Sequence, residues 1–170
     1  DNQSKKGRKP LPELEEKALR ELLSYCREQN LENVVFARFP HIVVKRTFDR
    51  FEKSNTVGDI VEEYGYDYLN FERDFVETGL DETSDFYNLD HLNVRGQQKF
   101  TAYLTDYLTA RYAVAPKEQS EKIKAEWKKC GTYYKAYVRY SEELIAKGEK
   151  RELSEDYELI NKLGDYIYKQ

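Results

Sequence analysis

Leu11, Leu14, Ala18, Leu22 and Cys26 recur at helical spacing, with Pro12 near the start and Glu13, Glu15 and Glu16 in the first turn. This predicts an amphipathic helix of about five turns ending near Asn30. The run Asn33-Val34-Val35-Phe36-Ala37-Arg38-Phe39-Pro40 is nearly continuous in apolar residues and stopped by proline, the pattern of a buried strand. From His41 to Phe51 the pattern is mixed: Ile42, Val43 and Val44 extend a strand or line a loop, and Phe48 and Phe51 begin a helix. Val57, Ile60, Val61 and Tyr64 form a second helical stripe closed by Gly65, and residues 66 to 71 make a second short strand. A strand, a helix and a strand in this order predict a parallel, right-handed unit.

After Phe71, the acidic and turn-rich residues 72 to 84 lead into the stretch Asp85-Phe86-Tyr87-Asn88-Leu89-Asp90-His91-Leu92-Asn93-Val94-Arg95-Gly96. Asn93 suits an N-cap, and Val94, Phe100, Tyr103, Leu104, Tyr107 and Leu108 repeat at helical spacing behind it. His91 is thereby expected on a short loop whose exit is fixed by a packed helix. Pro116 marks a change of character. Ile123, Trp127, Cys130, Tyr134, Tyr137, Val138, Leu144 and Ile145 trace an apolar, aromatic helix face, with Gly131 as a kink and Gly148 as the stop. A last helix is expected from Leu153, Tyr157, Ile160, Leu163 and Ile167. The organisation read from the pattern is a linker over 1–10, an α/β domain over 11–115 and a helical extension over 116–170.

Composition narrows the picture. The chain of 170 residues holds one domain and a core. Its 28 basic and 32 acidic residues are interleaved, for a net charge of -4, which argues against nucleic acid and polyanionic membranes as main partners. No apolar run is long enough for a membrane segment, and no targeting signal is present. The absence of methionine and the polar opening before Pro10 suggest a truncated or processed segment. Cys26 and Cys130 lack metal-type spacing and are read as two buried free thiols in preference to a disulfide. No cofactor and no metal are expected, since the two histidines and two cysteines are scattered and no phosphate-cradling loop occurs.

The chemistry concentrates at Asn88, Asp90 and His91. An imidazole takes a hydroxyl proton near neutral pH when another group holds its second nitrogen. Asn88, three residues back, offers an amide oxygen that fixes the tautomer without countering an imidazolium charge, and Asp90 offers the charge from an adjacent position. A capping or surface role is the plain alternative for His91. His41, the only other histidine, is read as a loop residue after Pro40, with substrate contact as the alternative. The aromatic face of Trp127, Tyr133, Tyr134, Tyr137 and Tyr140 is read as packing surface, with stacking on sugar rings as the alternative.

The block Phe86-Tyr87-Asn88-x-x-His91-Leu92-Asn93-x-x-Gly96-x-x-x-Phe100-Thr101 resembles the C-terminal block of the SGNH/GDSL hydrolase superfamily, nearest to bacterial members that acylate or deacylate cell-surface polymers. The likeness extends over roughly residues 10 to 113 and is specific over about twenty of them. In that superfamily the block reads Asp-x-x-His; here Asn88 stands at the Asp position. The resemblance implies the C-terminal part of a flavodoxin-like, three-layer parallel sheet. It implies acyl transfer by a serine, with His91 as base and Asn88 or Asp90 orienting it, an acyl ester or acylated polymer as substrate, and an extracytoplasmic, membrane-anchored parent. The Gly-Asp-Ser block and the oxyanion-hole Gly and Asn of that superfamily are absent from this chain; Gly58-Asp59 runs into Ile60 within a helical pattern. The rival reading is a non-catalytic binding module. Half of a parallel sheet would leave an apolar strand edge around Phe36, to be covered by the missing N-terminal half or by a second copy.

Overall fold

The computed structural model describes residues 7–148 except Pro116, which divide into two compact units between Gly79 and Leu80. The helix expected over 153–167 and the boundary at Pro116 lie outside the described residues.

In the first unit, α1 spans Glu13–Glu28 and β1 spans Val35–Arg38; α2 spans Phe48–Glu63 and β2 spans Asp67–Asn70. β1 and β2 pair in parallel with Val35 opposite Asp67 and Arg38 opposite Asn70, as a strand-helix-strand order requires. The core is Leu23, Ile60 and Val61, with Leu11, Leu19, Phe36, Val57, Tyr64, Tyr66 and Tyr68 packed around it. The α2 stripe and its stop at Gly65, whose φ is +83°, follow the sequence pattern.

The face of α1 differs from the expected one. Leu23 and Cys26 are buried, whereas Leu14 and Leu22 are exposed. Two leucine stripes share this helix, and packing against α2 selects the one running through Leu19 and Leu23. β1 is also less buried than its apolar run suggests: Val35 and Phe39 are exposed and Phe36 half-buried. Residues 7 to 9 are tied to α2, with Asn55 Nδ2 donating to the Gly7 carbonyl at 3.0 Å, Arg8 paired with Asp59 and Lys9 with Asp49.

In the second unit, β3 (Phe86–Asn88) and β4 (His91–Leu92) form an antiparallel hairpin, followed by α3 (Val94–Tyr112) and α4 (Glu121–Ala146). The hairpin is absent from the sequence expectation, which has a plain loop there. Val94 and Phe100 bury the inner face of α3, and Arg95 of α3 grips Glu142 of α4 through Nη2 at 2.7 Å and Nε at 2.9 Å. α4 runs unbroken through Gly131 and ends as expected before Gly148, at φ +70°. Trp127, Tyr133 and Tyr134 of its aromatic face are exposed, and of the two free thiols expected to be buried, Cys26 is buried whereas Cys130 is exposed.

The described residues thus show a mixed α/β protein with two small two-stranded sheets. No described helix is long and apolar enough to cross a membrane.

Candidate functional site

The hairpin at residues 86–92 is fixed from both ends by short-range hydrogen bonds. Upstream, Asp81 Oδ1 accepts from the backbone N–H groups of Thr83 (2.8 Å) and Ser84 (2.9 Å) and from the Thr83 hydroxyl (2.6 Å). These donors, the Thr83 hydroxyl first, hold the Asp81 carboxyl down at about 2. Asp85 follows, with 1 % of its side chain exposed; its carboxylate accepts from Lys99 Nζ at 2.7 Å and from the Asp81 backbone N–H at 2.8 Å. A buried charge of this kind is tolerable because both a cation and an amide satisfy it.

Downstream, Asn93 caps α3. Its Oδ1 accepts from the N–H groups of Arg95 and Gly96 at 2.9 and 3.1 Å, and its Nδ2 donates to the Ser84 carbonyl at 2.7 Å. One side chain therefore caps the helix and ties it to the residues before β3. The Asn93 N–H also donates to the Asp85 carbonyl at 2.9 Å. That carbonyl lies so close to Gly96 Cα that a Cβ there would run into it. Asn93 and Gly96 are thus accounted for by the close approach of α3 to Asp85.

Leu89 and Asp90 form the two-residue turn, and Asn88 pairs with His91 across it. Asn88 Oδ1 accepts from the Asp90 N–H at 2.9 Å and lies 2.9 Å from His91 Nδ1. Because a backbone N–H already donates to it, the atom facing the ring is the amide oxygen, an acceptor only. Nδ1 must then carry the proton, leaving the lone pair on Nε2. An exposed imidazole in this tautomer, held from behind, is equipped to accept a proton. The structure brings Asn88 and His91 side chain to side chain, and Asp90 enters through its backbone N–H.

The second histidine, expected on a loop after Pro40, has partners that the sequence does not show. His41 Nδ1 lies 2.9 Å from Oε1 of Glu72, whose side chain is 2 % exposed, and Arg38 Nη2 donates to the same oxygen at 2.9 Å. The three residues meet at the carboxyl ends of β1 and β2. The only signal for this in the sequence is that each stands within three residues of a strand end.

Among the described residues, no group of three or more His, Cys, Asp or Glu is placed to hold a metal ion. No family model, curated protein or solved structure matches the chain.

Proposed function

We propose that this chain contributes the histidine-bearing C-terminal part of an SGNH-like serine hydrolase or O-acyltransferase acting on acyl esters, including those of cell-surface polymers. The observation that carries this reading is the His91 Nδ1 to Asn88 Oδ1 pairing at 2.9 Å. It sits within a block whose Asn93 and Gly96 hold α3 against Asp85. In this reading the parallel pair of β1 and β2 is part of a larger three-layer sheet, and the parent protein is membrane-anchored outside the cytoplasm. The nucleophilic serine comes from outside this chain. Its hydroxyl proton passes to Nε2 of His91 as the oxygen attacks the acyl carbonyl, and Nδ1–H stays on the Asn88 oxygen throughout.

A second reading is favoured by the identity of residue 88. An amide does not offset the imidazolium formed in such a step, so Asn88 fits equally a module that keeps the fold and binds without catalysis. The whole polypeptide encoded by the gene separates the two. With p-nitrophenyl acetate as substrate, the acyl-transfer reading expects a serine that reacts with a fluorophosphonate probe and a rate that falls at least about a hundredfold in His91→Ala, the lower end of general-base effects. The present chain alone is expected to show no turnover above its own His91→Ala control. A full-length protein without probe-reactive serine, or one indifferent to His91→Ala, overturns the acyl-transfer reading and leaves the binding module.

A further inference from the structure

We propose that His41, Glu72 and Arg38 form a second proton-transfer site, in which Nε2 of His41 accepts the proton of a hydroxyl group, from an alcohol or water, brought to the carboxyl ends of β1 and β2. The proposal stands on the first unit alone and is independent of the acyl-transfer reading of His91.

The site is built from the end of the parallel sheet. β1 ends at Arg38, opposite Asn70 at the end of β2, and the Phe71 N–H donates to the Arg38 carbonyl at 3.0 Å. Asn70 is fully buried. Its Oδ1 accepts from the N–H groups of Glu72 and Arg73, both at 3.2 Å, and its Nδ2 donates to Asn55 Oδ1 at 3.0 Å. This turn delivers Glu72 beneath the end of β1, where it meets Arg38 and, three residues further along the chain, His41. A carboxylate with 2 % of its surface exposed is costly without compensation. Burial pushes the Glu72 carboxyl up, but His41 and Arg38 outweigh burial and hold it below the usual carboxylate range. Among the described residues, Tyr68, whose hydroxyl lies 2.8 Å from the Ser54 hydroxyl, and Arg73 are further ionisable groups at this end of the sheet.

Two features distinguish this cluster from an ordinary buried ion pair. First, an ionised carboxylate oxygen 2.9 Å from Nδ1 favours the proton on that nitrogen by its charge even off the hydrogen-bond direction, so that in the neutral ring Nε2 keeps the lone pair. The ring retains 18 % of its side-chain surface exposed while Nδ1 is buried, which leaves Nε2 for a ligand. Second, the hydrogen bonding within the cluster is incomplete. Glu72 Oε2, Arg38 Nε and His41 Nδ1 are buried without an aligned hydrogen-bond partner, the last being close to Oε1 but off the hydrogen-bond direction. Three such atoms in one place are expensive for a purely structural cluster. In sites awaiting substrate, by contrast, catalytic hydrogen bonds are commonly misaligned and tighten on binding.

The step is a proton transfer and nothing more. The O–H bond of the ligand breaks, its electron pair stays on oxygen, and the proton joins Nε2. Glu72 offsets the imidazolium charge that results, the service that Asn88 cannot give His91. The proton returns to the same oxygen as the ligand leaves, so that no alkoxide or hydroxide is left behind. Glu72 and Arg38 are positioning residues, and His41 is the group that touches the ligand.

His41 and His91 are the only histidines, so histidine-selective 15N labelling gives two ring systems, which His91→Ala assigns. The expected spectrum of the wild-type chain shows His41 protonated at Nδ1 when neutral. Glu72→Gln is expected to move that proton toward Nε2 and to slow carbethoxylation of His41 by diethyl pyrocarbonate, while Glu72→Asp restores both. Glycerol, as the hydroxyl probe, is expected to protect His41 from carbethoxylation in the wild type and not in Glu72→Gln. A wild-type His41 protonated at Nε2, or one that diethyl pyrocarbonate does not reach, overturns the proposal without any variant having to fold. Absence of glycerol protection in the wild type overturns the hydroxyl ligand.

Discussion

Both histidines present Nδ1 to an oxygen 2.9 Å away, but one oxygen belongs to an exposed amide three residues back in the chain and the other to a buried carboxylate in a distant segment. The His91 hairpin is assembled from side chains that bond to backbone groups a few residues away: Asp81 to Thr83 and Ser84, Asn88 to Asp90, Asn93 to Arg95 and Gly96. The His41 cluster is assembled from two strand ends and a turn, and its central interaction is between charges. A locally bonded loop holds an imidazole in one tautomer at little electrostatic cost. A charge cluster does more for an imidazolium, yet it must be supported against desolvation by everything packed around it. The difference lies in where each site can be broken.

The largest effect is expected where the hairpin meets α3. Gly96→Ala places a methyl against the Asp85 carbonyl, and a backbone atom there cannot step aside as a flexible side chain would. A loss of about 3 kcal/mol is expected, at the upper end of overpacking effects, read from urea unfolding. Gly131→Ala is the control, since a Cβ there meets nothing, and it should gain about 0.5–1 kcal/mol from lower unfolded-state entropy. Equal effects of the two substitutions would mean that α3 is not docked on Asp85 and that the hairpin is not held as described.

The corresponding weak point of the His41 cluster is Asn70, which places Glu72 without touching His41. Asn70→Ala strips the partner from the Glu72 N–H and from Asn55 Oδ1, while the Arg73 N–H keeps the Asn70 backbone carbonyl at 3.1 Å, and should cost about 2 kcal/mol. Because its effect reaches His41 only through Glu72, the Nδ1 proton of His41 should shift toward Nε2 while the His91 ring signals stay in place. Movement of both histidines together would erase the distinction between a local and a distributed site.

The same contrast explains what was legible in the sequence. Asn93 as the cap of α3, Gly65 and Gly148 as helix stops and the parallel pairing of the two strands all follow from local chemistry or chain order. The phase of α1 does not. Leu14 and Leu22 make as good a stripe as Leu19 and Leu23, and only the surface of α2 chooses between them. Strands of three and two residues with an irregular register between Phe86 and Asn88 leave no alternating pattern, so the hairpin reads as a loop. At the candidate site, Asn88 is found beside His91 because three residues around a tight turn can be read from the chain. Glu72 beside His41 is not, because that encounter depends on strand register and on the Asn70 turn together.

The smallest effect concerns acid. Asp81 titrates at about 2 in the folded chain against 3.8 for the free group, because the hydroxyl and backbone N–H of Thr83 and the N–H of Ser84 bond its charged form. A depressed pKa contributes stability that is present above the unfolded value and lost as pH falls through the folded one, so the contribution should fade between about pH 4 and pH 2. Asp81 is solvent-exposed, so the consequence should be local: hydrogen-exchange protection of the Thr83 and Ser84 amides should decline over that window. In Asp81→Asn, whose amide oxygen accepts without titrating, their protection should be independent of pH across the same window. The His41 cluster supplies the counterpoint, since Glu72 is also held below its usual range but by His41 and Arg38 against the push of its own burial, and its protonation should loosen the turn at Asn70 and not a single pair of amides. Identical acid profiles for Thr83 and Ser84 in wild type and Asp81→Asn would place the acid-sensitive group elsewhere and remove Asp81 from the support of the hairpin.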